Sequence, residues 1–162
     1  MDCLDELIAM LEAESVPYRL SGHPPTFTAQ DEASAEHLPA QRVAKVVIAM
    51  VDQGPVMAVI GADQRVDLSA VARAVGGKHA RLAREEEFAS LFPNCDVGAM
   101  PPFGNVYGLV VVADRLLLRA SHLTFLAGAH DQSITIPTGA YDRLVHPILA
   151  PLAKGAATAG AV

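Results

Sequence analysis

Two apolar segments joined by a three-residue turn constrain the fold more than any other feature of the chain. Residues 42–51 and 56–60 are largely apolar, and Asp-Gln-Gly at 52–54 lies between them. Short runs of β-branched residues around such a turn predict an antiparallel hairpin. The longest apolar runs, such as residues 109–113, are far too short to cross a membrane as helices. We therefore expect a folded domain whose sheet includes this hairpin.

The rest of the chain alternates between helical and strand patterns. An amphipathic helix is predicted over residues 3–14, where Leu4, Leu7, Ile8 and Leu11 have i, i+3, i+4, i+7 spacing. Further helices are predicted over residues 28–37, 67–75 and 84–92 and from Thr138 onward. Further strands are predicted over residues 16–21, 107–113, 116–121 and 133–137. The second and third of these strands flank Asp114 and Arg115 and are expected to form a hairpin. Hairpins interspersed with helices predict a mixed sheet of the α/β class rather than a regular parallel array.

The length of 162 residues suits one domain with a single core. No repeat or linker divides the chain, so we expect one domain over residues 1–150. The residues after Pro151 offer few side chains that could build a core. We therefore expect residues 151–162 to form a flexible tail.

The net charge of −6 is unevenly distributed along the chain. Residues 1–41 carry eight acids against Arg19, whereas residues 42–162 carry ten acids and eleven Lys or Arg. A basic cluster in the second part consists of Arg65, Arg73, Lys78, Arg81 and Arg84. Such a cluster can contact phosphates without making the protein a strong general nucleic-acid binder. Ordinary solvated surface is the alternative interpretation.

Several motifs of metal and cofactor enzymes are missing from the sequence. Cys3 and Cys95 form no C-x-x-C pair, which argues against a disulfide framework and against a thiolate metal site. The six histidines lack metal-ligand spacing, and there is neither a G-x-S-x-G nor a phosphate-binding G-x-x-x-x-G-K motif. The N-terminus carries acids where an export signal carries lysines, so we expect a cytoplasmic protein without a membrane segment. An enzyme of this kind is expected to use no metal or cofactor and to rely on substrate positioning and backbone donors.

Three features could belong to a site. The stretch VGAMPPFGN at 97–105 combines Gly98 with two adjacent prolines, which suits either a rigid exposed turn or a backbone cradle for a ligand carbonyl. Lys45 interrupts an apolar strand, so its ammonium reaches either solvent or a pocket that holds an anion or carbonyl. His130 follows two small residues and could move a proton or donate to a substrate oxygen, or it could be polar surface. Asp131 could orient the His130 ring or could be a turn residue.

These segments together resemble a known family. GHPPTFT at 22–28, the strand lysine, GADQRVDLSAVARAVGG at 61–77, VGAMPPFG at 97–104 and AGAHDQSITIPT at 127–138 occur in the order and at spacings similar to those of the YbaK and prolyl-tRNA synthetase insertion-domain family. The likeness covers about residues 4–148 and is greatest to the YeaK and ProXp-type free-standing trans-editing proteins. The most specific element is G-x-x-x-P, formed by Gly98 and Pro102. The resemblance implies a single YbaK-like domain with a central mixed, largely antiparallel sheet or partial barrel flanked by helices.

The resemblance also implies an activity, namely hydrolysis of the ester of mischarged tRNA. Serine or threonine is the expected amino acid and alanine the next, with cysteine less favoured. In this family the glycine–proline loop, which is VGAMPPFG at 97–104 in this sequence, receives the aminoacyl ester on its backbone amides. The family's strand lysine holds the 3′-terminal adenosine. The implied catalytic residues are Lys45, Gly98, Pro102 and His130. The implied substrate-binding residues are Thr28, Ala99, Met100, Pro101, Phe103, Gly128 and Asp131. The implied partners are the 3′ end of mischarged tRNA and an aminoacyl-tRNA synthetase, with no metal or cofactor.

Two alternatives remain open at this point. The first is a non-catalytic module of the same fold that binds an aminoacyl-tRNA end or a synthetase. The second is a hydrolase of another small ester, which would not depend on the tRNA body.

Overall fold

A computed structural model of the chain describes residues 2–26, 29–36, 38–39 and 42–154. The α-helices in these residues are α1 (Cys3–Ala13), α2 (Ala29–Ala35), α3 (Leu68–Ala74), α4 (Glu85–Phe88) and α5 (Thr138–Val145). The strands are β1 (Arg19–Gly22), β2 (Ala44–Val51), β3 (Gly54–Gly61), β4 (Ala80–Leu82), β5 (Val110–Asp114), β6 (His122–Leu126), β7 (Gln132–Pro137) and β8 (Ile148–Ala150).

The strands form two sheets. The larger sheet has the order β4-β2-β3-β5-β8, and the smaller has the order β1-β7-β6. The predicted β2–β3 hairpin is confirmed, with Ala44 opposite Gly61 and Val51 opposite Gly54. The β3–β5 and β5–β8 pairs are parallel and the other strand pairs are antiparallel. The expected mixed, largely antiparallel α/β architecture is therefore confirmed.

Hydrophobic residues cover both faces of the larger sheet. One face contributes Ile48, Met57 and Val111 to the main core, which also contains apolar residues of α1, β6, β7 and α5. The other face contributes Ala58 and Val112 to a second cluster with α3. This arrangement follows from strand geometry, because successive side chains point to opposite faces of a sheet.

The predicted hairpin of residues 107–113 and 116–121 is wrong. Residues Leu117–Arg119 form a 3-10 turn, and the next strand, β6, pairs with β7 rather than with β5. The reason is Asp114, a fully buried carboxylate that accepts hydrogen bonds from the backbone N–H of Leu116 at 2.9 Å and of Leu152 at 2.9 Å. The bond to Leu116 turns the chain at the end of β5. The bond to Leu152 holds the segment after β8, the strand that pairs parallel to β5.

Cys3 and Cys95 are joined by a disulfide, so the prediction that they form none is also wrong. Their Cα atoms lie 4.9 Å apart although 92 positions separate them in the sequence. The backbone N–H of Cys3 donates to the carbonyl of Asn94 at 3.2 Å, so the first turn of α1 lies against the segment that precedes the glycine–proline loop. Sequence spacing cannot show such a tertiary neighbour.

The domain extends slightly beyond its predicted end. Residues 151–154, which were assigned to the tail, pack on the domain: Leu152 is fully buried, and Ala153 forms a β-bridge with Val66. Leu152 supplies the apolar side chain that anchors this segment. The rest of the predicted tail lies outside the described residues. In the part of the chain that is described, no helix combines the length and the apolar character needed to cross a membrane.

Candidate active site

The glycine–proline loop is held to the turn between β6 and β7 by backbone hydrogen bonds. The N–H of Gly128 donates to the carbonyl of Ala99 at 2.8 Å, and the N–H of Asp96 donates to the carbonyl of Gly128 at 2.8 Å. Gly98 has a φ of +86°, a conformation that glycine adopts without strain. Val97 and Gly98 are exposed, whereas Ala99 to Phe103 are buried. The stretch 97–105, expected to be an exposed loop, is thus exposed only at its two ends, at Val97, Gly98 and Asn105.

Aromatic residues on the buried side of the loop hold its prolines in place. The hydroxyl of Tyr141 on α5 donates to the carbonyl of Pro102 at 2.7 Å. Burial raises the pKa of Tyr141, so this hydroxyl keeps its proton. Phe103 makes edge contacts with Phe125 and Tyr141, at ring-centroid distances of 5.6 and 5.5 Å. The loop therefore has a rigid base.

The N–H of Gly98 has only a weak hydrogen-bond partner among the described residues. The N–H groups of Ala99 and Phe103 donate to carbonyls of Asp96 and Pro101, at 3.0 and 2.8 Å. Pro101 and Pro102 have no N–H. The N–H of Gly98 instead faces the thioether sulfur of Met100 at 3.2 Å, and sulfur is a weak acceptor. A substrate carbonyl could replace this sulfur at an exposed position.

His130 joins the loop to the segment after β1. Its Nε2 lies 2.9 Å from the carbonyl oxygen of Val97, and its Nδ1 lies 2.8 Å from the carbonyl oxygen of Thr26. The N–H of Thr26 donates back to the carbonyl of His130 at 2.8 Å. A Cβ placed on Gly98 would lie 3.3 Å from Cε1 of His130. The ring therefore packs directly over Gly98.

Lys45 lies on β2, opposite Ile60 of β3. Its Nζ donates to the carbonyl of Gln64 at 2.7 Å, and partial burial lowers the pKa of the ammonium. The nearby Asp63 opposes this shift of the Lys45 pKa, while Arg65 adds to it. The half-buried ammonium thus supports the pocket interpretation more than a fully solvated one. Within the described residues, Lys45 makes no hydrogen bond to the glycine–proline loop.

The structure brings several of the predicted site residues together at the glycine–proline loop. Gly98, Ala99, Gly128 and His130 meet at the loop, with Met100, Pro101, Pro102 and Phe103 behind them. The His130 ring is oriented by two backbone carbonyls, and Asp131 contributes its own carbonyl to the N–H of His23 at 3.0 Å. Asp131 is thus a turn residue in this structure, and Thr28 lies outside the described residues.

Sequence reasoning did not identify Thr26, Val97 or Tyr141 as parts of the site. Thr26 and Val97 act through main-chain oxygens, which carry no signal in the sequence. Tyr141 matches the apolar pattern of its helix, so its hydrogen bond to Pro102 could not be foreseen.

Three members of the predicted basic cluster, Arg73, Lys78 and Arg81, line two surface clefts near the turn of the β2–β3 hairpin. A cleft of about 380 Å³ is lined by Ser69, Ala72, Arg73, Gly77, Lys78, His79 and Ala80. A neighbouring cleft of about 440 Å³ is lined by Met50, Asp52, Gln53, His79, Ala80 and Arg81. Neither contains a residue of the glycine–proline loop.

Two members of the cluster are engaged by acids. Both guanidinium ends of Arg81 donate to the carboxylate of Glu87 at 2.7 Å, and Arg84 lies 3.3 Å from Glu86. The smaller cleft is lined by two other cations of the cluster, Arg73 and Lys78.

Comparisons with known proteins agree with this architecture. The family described as "Aminoacyl-tRNA editing domain" matches residues 23–144. The chain is 33% identical over 148 residues to the Multifunctional Ser/Thr-tRNA deacylase ProXp-y of Escherichia coli strain K12, and the match covers 88% of each protein. It superposes with a TM-score of 0.81 on a candidate trans-editing enzyme for prolyl tRNA synthetase, at 22% identity, over 94% of this chain and 98% of that one. The sequence matches confirm the family resemblance, and the structural match confirms the fold.

Proposed function

Because the chain belongs to the aminoacyl-tRNA editing domain family, we propose that it is a trans-editing deacylase that hydrolyses the ester of tRNA mischarged with serine or threonine. The family match covers most of the chain, including the complete glycine–proline loop. The named activity of the ProXp-y relative supports the choice of serine and threonine. Alanine is the next candidate.

The observation that carries the mechanism is the weakly engaged N–H of Gly98. In the proposed complex, the ester carbonyl oxygen accepts a hydrogen bond from this N–H and displaces the Met100 sulfur. Water then adds to the ester carbon and releases one proton to solvent, and the oxyanion that forms is stabilised by the fixed backbone dipole. Collapse of the intermediate breaks the bond to the ribose oxygen, which takes up a proton. The products are the free amino acid and intact tRNA.

The other site residues have supporting roles in this proposal. Lys45 binds the 3′-terminal adenosine end, since its half-buried ammonium offers a positive charge beside Arg65. Pro102 keeps the loop rigid through its bond with Tyr141. His130 is a positioning residue, because both of its ring nitrogens face backbone carbonyls. Thr28, Ala99, Met100, Pro101, Phe103, Gly128 and Asp131 remain the proposed surroundings of the aminoacyl group.

The tRNA body is the proposed partner of the smaller basic cleft. Arg73 and Lys78 can contact backbone phosphates there, and such contacts weaken as salt is added. A synthetase that mischarges the same tRNA is a further proposed partner, which the similarity to a candidate trans-editing enzyme for prolyl tRNA synthetase supports. A cytoplasmic location is part of this proposal, because both proposed partners act there.

Deacylation of a panel of charged tRNAs tests this function. The panel carries Ser, Thr, Ala, Cys or Pro, and a parallel reaction contains a simple seryl ester without tRNA. We expect fast loss of seryl- or threonyl-tRNA and little action on the simple ester. Equal action on the simple ester would favour a general esterase. Binding of charged tRNA without hydrolysis of any member would favour the non-catalytic module.

A further inference from the structure

A buried polar cluster lies beside the candidate site and has no part in the mechanism above. It consists of His23 after β1, Glu32 on α2, Glu36 just beyond α2 and Ser133 on β7. Glu32 is 0% exposed and Ser133 is 1% exposed, and the side chains of His23 and Glu36 are 4% and 6% exposed. Among the described residues, one carboxylate oxygen each of Glu32 and Glu36 has no hydrogen-bond partner. A cluster of this kind is costly to bury, so it needs a structural or functional reason.

Three of these side chains form a continuous hydrogen-bonded chain. Nδ1 of His23 lies 2.8 Å from the carbonyl oxygen of Pro24, and Nε2 lies 2.8 Å from Oγ of Ser133. Oγ of Ser133 in turn lies 2.6 Å from Oε2 of Glu32. Each of these three contacts requires one hydrogen between its two heavy atoms.

The number of hydrogens that these three contacts require shows that the hydrogen-bonded chain of side chains holds one removable proton. The Pro24 carbonyl can only accept, so Nδ1 of His23 carries a hydrogen. The Ser133 hydroxyl has one hydrogen and can serve only one of its two contacts. The remaining contact needs a proton on either Oε2 of Glu32 or Nε2 of His23. When that proton is lost, two acceptors face each other in one of the contacts.

The cluster does not form a nucleophilic triad. In such a triad the acid bonds the histidine nitrogen that faces away from the serine. Here that nitrogen faces the Pro24 carbonyl, and Glu36 instead lies 3.9 Å from Nε2. Ser133 is also too deeply buried to meet a substrate.

The hydrogen-bonded chain of His23, Ser133 and Glu32 is connected to the candidate site through the segment that follows β1. His23 and Thr26 belong to this segment, and the N–H groups of both donate to the turn between β6 and β7, at Asp131 and His130. The carbonyl of Thr26 faces one nitrogen of the His130 ring, whose other nitrogen faces Val97 of the loop. Displacement of the segment would therefore remove one support of the His130 ring.

We propose that Glu32, Ser133 and His23 share one titratable proton, and that this proton positions the segment from His23 to Thr26 against His130 and the glycine–proline loop. The three residues are positioning residues, and their effect on catalysis rests on the proposed deacylase function. Burial, the largest cause, raises the pKa of Glu32 to about 7; the bond from Ser133 opposes this shift, and Glu36 adds to it. His23 and Glu36 are the titratable groups that face Glu32 and Ser133 among the described residues.

The test combines carboxyl NMR, amide exchange and kinetics from pH 6 to pH 8.5. Glu32→Gln replaces the acid by a neutral amide that can donate to Ser133 at any pH, and Glu85→Gln is the matched control on exposed α4. Ser133→Ala interrupts the hydrogen-bonded chain of side chains. Its control is Thr135→Ala, which removes a hydroxyl on the same face of β7 that bonds Thr124 instead. The readouts are the carboxyl carbon shift of Glu32, the exchange protection of the Thr26 N–H, and kcat/KM for seryl-tRNA.

We expect the Glu32 carboxyl to titrate near pH 7 in the native protein. Over the same range, Thr26 protection should fall in the native protein and in Glu85→Gln but stay constant in Glu32→Gln. The ratio of native to Glu32→Gln kcat/KM should fall about tenfold from pH 6 to pH 8.5, the loss expected when one net hydrogen bond that supports His130 is removed. Ser133→Ala should lower Thr26 protection at every pH, and Thr135→Ala should not.

A Glu32 carboxyl that titrates near 4.5, or Thr26 protection with the same pH dependence in the native protein and Glu32→Gln, overturns the proposal. The carboxyl titration and the pH dependence of Thr26 protection in the native protein need no variant, so together they decide the question even if Glu32→Gln does not fold. Complete lack of deacylation by the native protein would count against the proposed function. The carboxyl and exchange measurements would still decide whether the shared proton positions the segment.

Discussion

The Nε2 atom of His130 lies 2.9 Å from the carbonyl oxygen of Val97, the residue that precedes Gly98. Because Nδ1 faces a second carbonyl, that of Thr26, the ring connects two segments and has no nitrogen directed at an open substrate position. We therefore predict that His130→Ala lowers kcat/KM about tenfold, which corresponds to about one lost net hydrogen bond. Single-turnover deacylation of seryl-tRNA measures the effect, with exposed His122→Ala as control. Equal rates for the two variants would contradict the positioning role.

Gly98 should tolerate no side chain. Gly98→Ala places a Cβ at a φ of +86° and 3.3 Å from Cε1 of His130, so both backbone strain and a tight contact oppose it. Gly76→Ala is the matched control, because Gly76 also has a positive φ, +73°, but open space around its Cβ. We expect a loss of about 1–2 kcal/mol in stability for both variants and a loss of activity of at least tenfold only for Gly98→Ala. Similar activity losses in both variants would show that general strain, rather than the loop, is responsible.

The hydroxyl of Tyr141 should stabilise the loop from below. Tyr141→Phe leaves the buried carbonyl of Pro102 without its donor, which should cost about 1–3 kcal/mol in the free energy of unfolding. Tyr18→Phe removes an exposed hydroxyl that bonds Glu12 and should change stability much less. Urea unfolding of both variants measures the difference. A Tyr141→Phe protein as stable as Tyr18→Phe would mean that the bond does not support the loop.

The stability of the protein should fall as pH rises toward 7 because of Glu32. Its pKa is raised to about 7 in the folded state from 4.5, so the folded state holds the proton more tightly than the unfolded state does. The stabilisation is fully present below pH 4.5 and is lost as pH rises through 7, by at most about 3 kcal/mol. Urea unfolding from pH 4.5 to pH 8 should show that Glu32→Gln gains stability relative to the native protein as pH rises. A constant difference between the two proteins would contradict the raised pKa.

The sequence predicted features that depend on local pattern and missed those that depend on tertiary contacts. The β2–β3 hairpin follows from two apolar runs around a turn and α1 from helical spacing, and both are confirmed close to their predicted bounds. The second hairpin failed because Asp114 uses its carboxylate to end β5, and a buried carboxylate looks like an ordinary turn residue in a sequence. The Cys3–Cys95 disulfide was also missed, because it depends on a tertiary contact between residues 92 positions apart.

The candidate site was predictable to a similar extent. The glycine–proline loop and His130 were recognised by family resemblance, and the structure brings them into contact. The backbone carbonyls of Thr26 and Val97 leave no trace in the sequence, because any residue supplies the same oxygen. The shared proton of His23, Ser133 and Glu32 depends on distances between segments more than 90 positions apart, which no pattern in a single sequence reports.

The most direct test of the account is a deacylation time course on seryl-tRNA with the native protein, Lys45→Ala and Arg119→Ala. Lys45 has a half-buried ammonium bonded to Gln64, whereas Arg119 is an exposed cation outside the site. We predict fast hydrolysis by the native protein and by Arg119→Ala, and at least a hundredfold slower hydrolysis by Lys45→Ala, as is typical when a transition-state or positioning contact is lost. Hydrolysis no faster than in buffer with the native protein, or an unchanged rate with Lys45→Ala, would contradict it.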